Sequence, residues 1–311
     1  MLTRKTVVLF ELEGTYGTDP VPVAADDGIY AADVEVEPTG EVLERDYYRD
    51  TLSKAAPVIG MKEAQLTFKT EIKGSGAAGT APKIGKLLQA CAMSETVSAG
   101  VSVAYAPVST EASMKSLTFY VYKDGNLHKI TGARGTYVIN LEAGKYGTVS
   151  WTFKGIYNDV SAAAAPSITM SETTLPPIVY NASFTWGGYA AVASALSIDY
   201  GNVLSRRESF NAPSGVGSFR IGDRKPQGSF NPEAVVEATH PFWGDWKAST
   251  ARALGIVIGA QAGNICTINA PKCVSTGLKY SDDEGVAVYD TQFVLAENNS
   301  AGDNELSIVF T

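Results

Sequence analysis

The sequence predicts a β-rich protein, mainly β with one short helix per repeat, in which one unit is used twice. Three observations carry this: short runs of β-branched and aromatic residues between glycine turns, one amphipathic helical stretch in each half, and residue blocks that return in the same order. IGMKEAQLTFKTE at 59–71 returns 162 residues later as IGDRKPQGSFNPE at 221–233. GEVLER at 40–45 returns as GNVLSR at 201–206, TAPKIG at 80–85 as THPFWG at 239–244, and GNLHKI at 125–130 as GNICTI at 263–268. Four blocks in one order argue for a tandem duplication. The spacing falls from 159 residues at the third block to 138 at the fourth, so the first copy carries 21 additional residues between Gly85 and Gly125.

Residues 1–30 open on the apolar run Val7-Val8-Leu9-Phe10, which Glu11 and Glu13 interrupt before Gly14, Gly17 and Asp19-Pro20 mark an irregular segment. Lying outside the repeat, they are expected to form an N-terminal arm. Alternation in Asp33-Val34-Glu35-Val36-Glu37 predicts a half-buried strand ended by Pro38. Residues 42–71 read as two strands joined by a long loop, the second strand covering 64–71. Thr80 is placed to cap a helix with Pro82 near its first turn. Ile84, Leu87, Leu88 and Cys91 form the apolar face of that helix, which ends by about Ser94.

Strands are expected at 101–105, 117–123, 127–131, 136–143 and 149–157. Asp124-Gly125 is the favoured central pair of a type I′ hairpin turn, and 144–147 is a second turn. The low-complexity run 161–166 marks a junction. The second half repeats the order, with strands at 178–186 and 195–200, a loop-bearing pair over 201–233, and a helix over 241–252 that presents Phe242, Trp243 and Trp246. Strands at 254–259, 264–269, 276–281, 286–296 and 306–310 finish it. The expected organisation is an arm at 1–30, a first domain at 31–160, a linker at 161–177 and a second domain at 178–311.

With 311 residues, 45 % hydrophobic and 19 % charged, the chain can bury two cores of ordinary size. No leader pattern opens it, and no apolar run approaches the roughly 20 residues that span a bilayer. A soluble protein made in the cytosol, without membrane contact, is therefore expected. Cys91, Cys266 and Cys273 are an odd number without CxxC spacing and read as buried apolar residues in a reducing compartment. A net charge of −8 argues against wrapping a phosphate backbone, while leaving room for nucleic acid that slides past.

His128 and His240 have no HExxH or CxxC context, and neither GxSxG nor a phosphate-binding glycine loop occurs. Asp26-Asp27, Glu35 with Glu37, and Asp282-Asp283-Glu284 are acidic clusters that could serve glycoside hydrolysis or calcium, or simply solvate loops and strand faces. Residues 282–285 read as a turn. Tyr47, Tyr48, Phe68, Trp151, Phe153, Trp186, Trp243 and Trp246 could mimic a sugar platform, but their spacing suits core and interface. No catalytic, cofactor-binding or metal residue is assigned, and neither enzyme activity nor a cofactor is expected.

LEGTYGTDP at 12–20, followed by Ala24-Ala25-Asp26-Asp27, resembles the start of the major tail tube proteins of long-tailed, non-contractile (siphophage-type) bacteriophages. GTAPKIGKLLQAC at 79–91 and LEAGKYG at 141–147 are similar to the same family. The resemblance covers most of the first half, and in the second it rests mainly on the repeat. It implies two tandem tail-tube-like domains, each a β-sandwich or half-barrel with a flanking helix. Three such chains would make a pseudo-sixfold homotrimer ring, with four strands per domain lining a continuous barrel.

Ring closure would remove exposed sheet edges, and non-closing contacts between rings would propagate a tube. The implied partners are further copies of the chain, the tape measure protein and viral DNA in the lumen without sequence-specific binding, and tail terminator and distal tail proteins at the ends. The implied location is the virion, after assembly in the host cytoplasm. Candidate inter-ring or inter-subunit residues are Arg45, Asp46, Tyr47, Tyr48, Arg49, Asp50 and Lys54 around the loop 46–58. In the second half they are Arg206, Arg207, Glu208 and Phe210 around 207–220. Residues 1–30 and 95–116 are further candidates. Alternative readings are a tail terminator, baseplate or capsid-decoration protein, or a carbohydrate-active β-sandwich enzyme using an acidic pair.

Overall fold

The computed structural model describes residues 2, 4–168 and 174–311. The first half contains β1 (Thr6–Leu12), β2 (Gly28–Ile29), β3 (Ala32–Leu43), β4 (Val58–Glu71), helix α1 (Gly85–Ala90), β5 (Met93–Ser98), β6 (Ser102–Pro107), β7 (Leu117–Lys123), β8 (Asn126–Glu142), β9 (Thr148–Tyr157) and β10 (Ser161–Ala162). The second half contains β11 (Thr185–Trp186), β12 (Ala193–Asp199), β13 (Asn202–Glu208), β14 (Val216–Arg224), β15 (Gln227–Pro232), helix α2 (Phe242–Ala248), β16 (Ala251–Ile258), β17 (Cys266–Asp283), β18 (Val286–Leu295) and β19 (Ser307–Phe310). The protein is β-rich, with large antiparallel sheets, as its alternating patterns require.

Two long strands organise the pairing. β9 runs along one edge of β8 from Ile130 to Asn140. The other edge of β8 is shared: β7 takes the N-terminal part and β12 takes Val138–Glu142. β17 is built alike. β18 lies along Cys273–Asp283, and β16 takes the opposite edge over Cys266–Val274. The strand order β3-β4-β9-β8 in the first half is thus matched by β12-β15-β18-β17 in the second, and the β8–β12 ladder joins them into one sheet.

Alternate residues of this sheet enter the core. Leu66 and Phe68 of β4 and Trp151 and Phe153 of β9 are buried with Phe10 and Phe119; Phe230, Phe293 and Trp186 do the same in the second half. One apolar cluster runs through both halves, and Tyr137 stacked on Tyr200 at 4.8 Å bridges them. Each fully buried aromatic side chain contributes roughly 1.5–3 kcal/mol of transfer free energy.

Several sequence expectations are corrected. β3 does not end at Pro38 but runs through it to Leu43, because no described strand pairs with its other edge and a missing N–H on an open edge costs no ladder bond. Both helices are shorter than their apolar periodicity suggests. α1 stops at Ala90, Ala92 takes a positive φ, and Ser94 already belongs to β5. α2 stops at Ala248, where Ser249 adopts a left-handed conformation, so Arg252 lies in β16, and Trp246 stays 43 % exposed. Of residues 178–186, only Thr185–Trp186 forms a strand.

Residues 6–12, expected in an arm, are a core strand paired with β7, with Val8, Leu9 and Phe10 buried. The segment around 95–116 contains the β5–β6 hairpin. β6 pairs with β19, so this first-half segment clasps the C-terminal strand of the same chain. Asp124 and Gly125 both have positive φ, as the type I′ turn requires.

Candidate assembly surfaces

The face of the shared sheet opposite the core is polar along its length. Thr67, Thr152, Asn140, Ser197, Ser229 and Gln292 supply hydroxyls and amides, because each alternates with a core residue. Glu35, Glu37, Glu142, Asp199 and Asp290 supply carboxylates, against Lys69, Lys154 and Lys279. Hydroxyls and amides cover the backbone without offering cations to a polyanion, and the excess of carboxylates repels one.

Two hairpins project from this sheet. β3 and β4 stay paired up to Leu43 and Val58, and their tip at 44–57 stands free, with Tyr48 and Leu52 fully exposed. Lys54 of this tip makes surface contacts with Glu44 at 3.4 Å and Asp46 at 3.8 Å, and the Arg45 guanidinium lies 5.3 Å from the Tyr47 ring. Exposed pairs of this kind contribute about 0–1 kcal/mol each, too little to hold the tip in one shape. Arg49 and Asp50 are exposed beside them.

The second hairpin, β13–β14, leaves the sheet as a separate two-stranded ribbon. The bend is at Gly201, with φ of +65°, where a Cβ would meet the Lys225 carbonyl at 2.2 Å. Asn202 fixes the bend from below, its amide donating to the carbonyls of Cys91 at 2.8 Å and Gly135 at 2.9 Å. The ribbon then lies across the first half. Val216 and Phe219 are buried, the Phe219 N–H donates to the Tyr16 hydroxyl at 2.7 Å, and Arg134 donates to the Phe219 carbonyl at 3.2 Å.

Of the second-half candidates, Arg206 pairs with Glu208 at 2.9 Å and Glu63 at 3.5 Å. Arg207 lines a cleft of about 860 Å³ together with Arg134, Arg220, Lys115 and Glu13, and Phe210 is fully exposed at the ribbon tip. The structure therefore separates these residues: Arg206 and Arg207 face the first half, while Phe210 points outward.

Sequence reasoning used Glu13 as a break in the opening apolar run and, with Tyr16, for the family resemblance; the structure shows what they do. The buried Glu13 carboxylate accepts from Ser116 and Thr118 hydroxyls at 2.6 and 2.7 Å and from the N–H groups of Gly17 and Gly132 at 2.6 and 2.7 Å. That network presents Tyr16, whose hydroxyl donates to Gly132 at 2.7 Å and receives the ribbon. Asp19 is fixed by Tyr120 and Lys129, each at 2.5 Å. Burial alone would raise its pKa, but these hydrogen bonds outweigh burial and hold it below the usual carboxylate range.

The residues considered for chemistry lie apart. Asp282 and Asp283 are exposed at the β17–β18 turn, His240 packs against Tyr189 and Phe242 at the start of α2, and His128 sits in the β7–β8 hairpin. Burial lowers the pKa of both histidines, favouring the neutral form. Cys266 and Cys273 are buried thiols pushed up to about 12 by desolvation. Among the described residues no group of three or more His, Cys, Asp or Glu could hold a metal ion, and no helix is long and apolar enough to cross a membrane.

A sheet with a polar face, one free hairpin tip and outer strands with an edge that no described strand takes is suited to assembly. The family comparison agrees: the model described as phage tail tube protein matches residues 3–303. The chain belongs to the phage tail tube family. No curated protein sequence matches it. Family membership makes it a structural tail tube protein, a virion component whose kind self-assembles into a tube. In that setting the polar sheet face and the free hairpin tip become candidate lumen and candidate contact.

Proposed function

We propose that three copies of this chain close into a pseudo-sixfold ring, and that rings stack into the tube through which phage DNA is delivered. In this reading the chain carries two duplicated tail-tube-like domains, 31–160 and 178–311, joined through 161–177. The single observation that supports it best is the shared eight-strand sheet, in which the second half repeats the strand order of the first and adds to its edge. Three such sheets end to end make a closed barrel of six like units, and closure removes the open edges.

The polar, carboxylate-bearing face lines the lumen, where tape measure protein and DNA pass without sequence-specific contacts. The tip at 44–57, with Arg45, Asp46, Tyr47, Tyr48, Arg49, Asp50 and Lys54 in or beside it, reaches the next ring. Phe210 at the second tip is the counterpart contact. Terminator and distal tail proteins bind the tube ends, and assembly takes place in the host cytoplasm. The chain acts by assembly and catalyses no reaction.

Negative-stain microscopy of the purified protein at rising concentration tests this. Tubes or stacked rings with threefold or pseudo-sixfold end views are expected. A persistent monomer at high concentration overturns self-assembly and favours an end-cap or decoration role.

A further inference from the structure

The sheet has two open ends. β3 pairs with β4 on one edge and with no described strand on the other. On β17, no described strand continues beyond β16 along the edge that β16 takes over Cys266–Val274, so residues 277–283 keep that edge open while β18 covers the opposite one. Within the chain the same kind of edge is filled: β7 covers the first part of β8, and β12 continues along the rest. β12 stands to β15 as β3 stands to β4, and both carry a bulge at the start of the ladder, at Ala193/Leu196 and Ala32/Glu35. The β8–β12 ladder is therefore a template, printed inside the molecule, for how β3 meets β17.

We propose that β3 of one copy pairs antiparallel with the free edge of β17 in a second copy, in the register set by β8–β12. This inference rests on the ring reading above and names the strands and residues of the seam. The repeated block places Gln65 on Gln227 and Phe68 on Phe230. Carried through the β4–β3 and β15–β12 ladders, this matches Glu35, Val36 and Glu37 to Ser197, Ile198 and Asp199. Carried through β9–β8 and β18–β17, it matches Val138, Ile139 and Asn140 to Lys279, Tyr280 and Ser281. Inside the chain Asp199 faces Val138, Ile198 faces Ile139 and Ser197 faces Asn140. Between copies, Glu37 then faces Lys279, Val36 faces Tyr280 and Glu35 faces Ser281.

The chemistry of these pairs is complementary. A carboxylate meets an ammonium on the polar face. On the core side, the Tyr280 ring, 63 % exposed in the single chain, is covered by Val36. The ladder is short because Pro38, the next residue, offers no N–H to the open edge, and β3 bulges before Glu35. A one-residue slip would bury Glu37 or Glu35 and expose Val36, so the register is strongly specified.

The test is disulfide trapping of the full chain. Glu35 and Ser281 correspond to Ser197 and Asn140, whose side chains touch at 3.2 Å. The bonds from Ala143 N–H to the Ser194 carbonyl and from Tyr200 N–H to the Tyr137 carbonyl put that pair at a non-hydrogen-bonded position, where Cα atoms come close enough for a disulfide. Glu35→Cys with Ser281→Cys should give a cross-linked ladder ending at the closed ring. It should exceed the register-shifted pair Glu35→Cys with Asp283→Cys by about ten-fold.

Rings or tubes in the microscope without this cross-link, or with the shifted pair favoured, would overturn the seam and leave the tube reading standing. No rings, tubes or cross-link in parent or variants would overturn both. A charge swap avoids thiols altogether. Glu37→Lys and Lys279→Glu should each weaken ring formation, and the double variant should restore it. Failure of that rescue, with normal assembly of the single variants, counts against the register.

Discussion

The β3–β4 hairpin and the β12–β15 hairpin hold the same place in the two strand orders, yet one runs on into solvent and the other folds back over the chain. The difference lies at the hinge. Gly201 sits in the left-handed region, and Pro226 interrupts the partner strand opposite it. At the matched places in the first half, Gly40 lacks the positive φ and Ala64 stands where Pro226 does, so the ladder continues unbroken. A bent ribbon finds its anchors, Tyr16 and Arg134, within its own chain and is fixed by folding. Beyond the Arg206–Glu63 pair at 3.5 Å the straight hairpin runs on into solvent, with Tyr48 and Leu52 exposed. The two hairpins show one motif made to dock or to stand free by a single bend.

The largest break in this contrast should come from Phe219→Ala. It removes the buried anchor of the ribbon, at a cost of about 3–5 kcal/mol to the docked state. Limited proteolysis should then cut within 209–215 while the β4–β9 core stays protected. Global unfolding with no earlier cleavage would show that the ribbon and the core are one cooperative unit. Next comes Gly201→Val, which forces a β-branched residue into the left-handed region and against the Lys225 carbonyl. A loss of at least about 1–2 kcal/mol is expected in urea denaturation, whereas Gly40→Val should cost less.

Deleting residues 49–55 should change stability by no more than about 0.5 kcal/mol, since Leu52 is exposed and Lys54 makes only surface ion pairs within the tip, but should abolish tube formation in the microscope. Unchanged tubes would remove this tip from the mechanism.

The smallest effect is acidic. At the ribbon base, Arg224 holds Asp303 at 3.0 Å and Glu305 at 2.5 Å. Burial would raise the Asp303 pKa, but hydrogen bonds from Ser109 and Arg224 outweigh it and leave it depressed. A depressed carboxylate contributes fully above its unfolded value near 4 and loses that contribution as pH falls through the lower folded value. Wild type should therefore lose more stability than Asp303→Asn as pH is lowered from about 5 to below the folded value, measured by thermal denaturation at each pH.

Much of the fold was legible because strands announce themselves by alternation and turn residues. The Leu66/Phe68 and Trp151/Phe153 pattern and the Asp124-Gly125 turn are local signals, and both appear where expected. What failed was what local pattern does not encode. Pro38 reads as a strand end unless its edge is known to be open. Thr6–Leu12 reads as an arm unless its pairing with β7 is known. The candidate site divides in the same way. The loop 44–57 is visible as a long polar connector, whereas Glu13, Tyr16, Arg134 and Phe219 meet only across sequence separations of up to 203 residues.

By itself, the sequence determined the β-rich class and the turn positions, since each depends on residues a few places apart. Tertiary structure alone decided that the two halves share one sheet, that one hairpin bends onto the first half while its counterpart stays free, and which strand edges are left open. Those outcomes depend on which surfaces meet when distant segments pack, and the energies that choose among them belong to pairs of residues no local window contains.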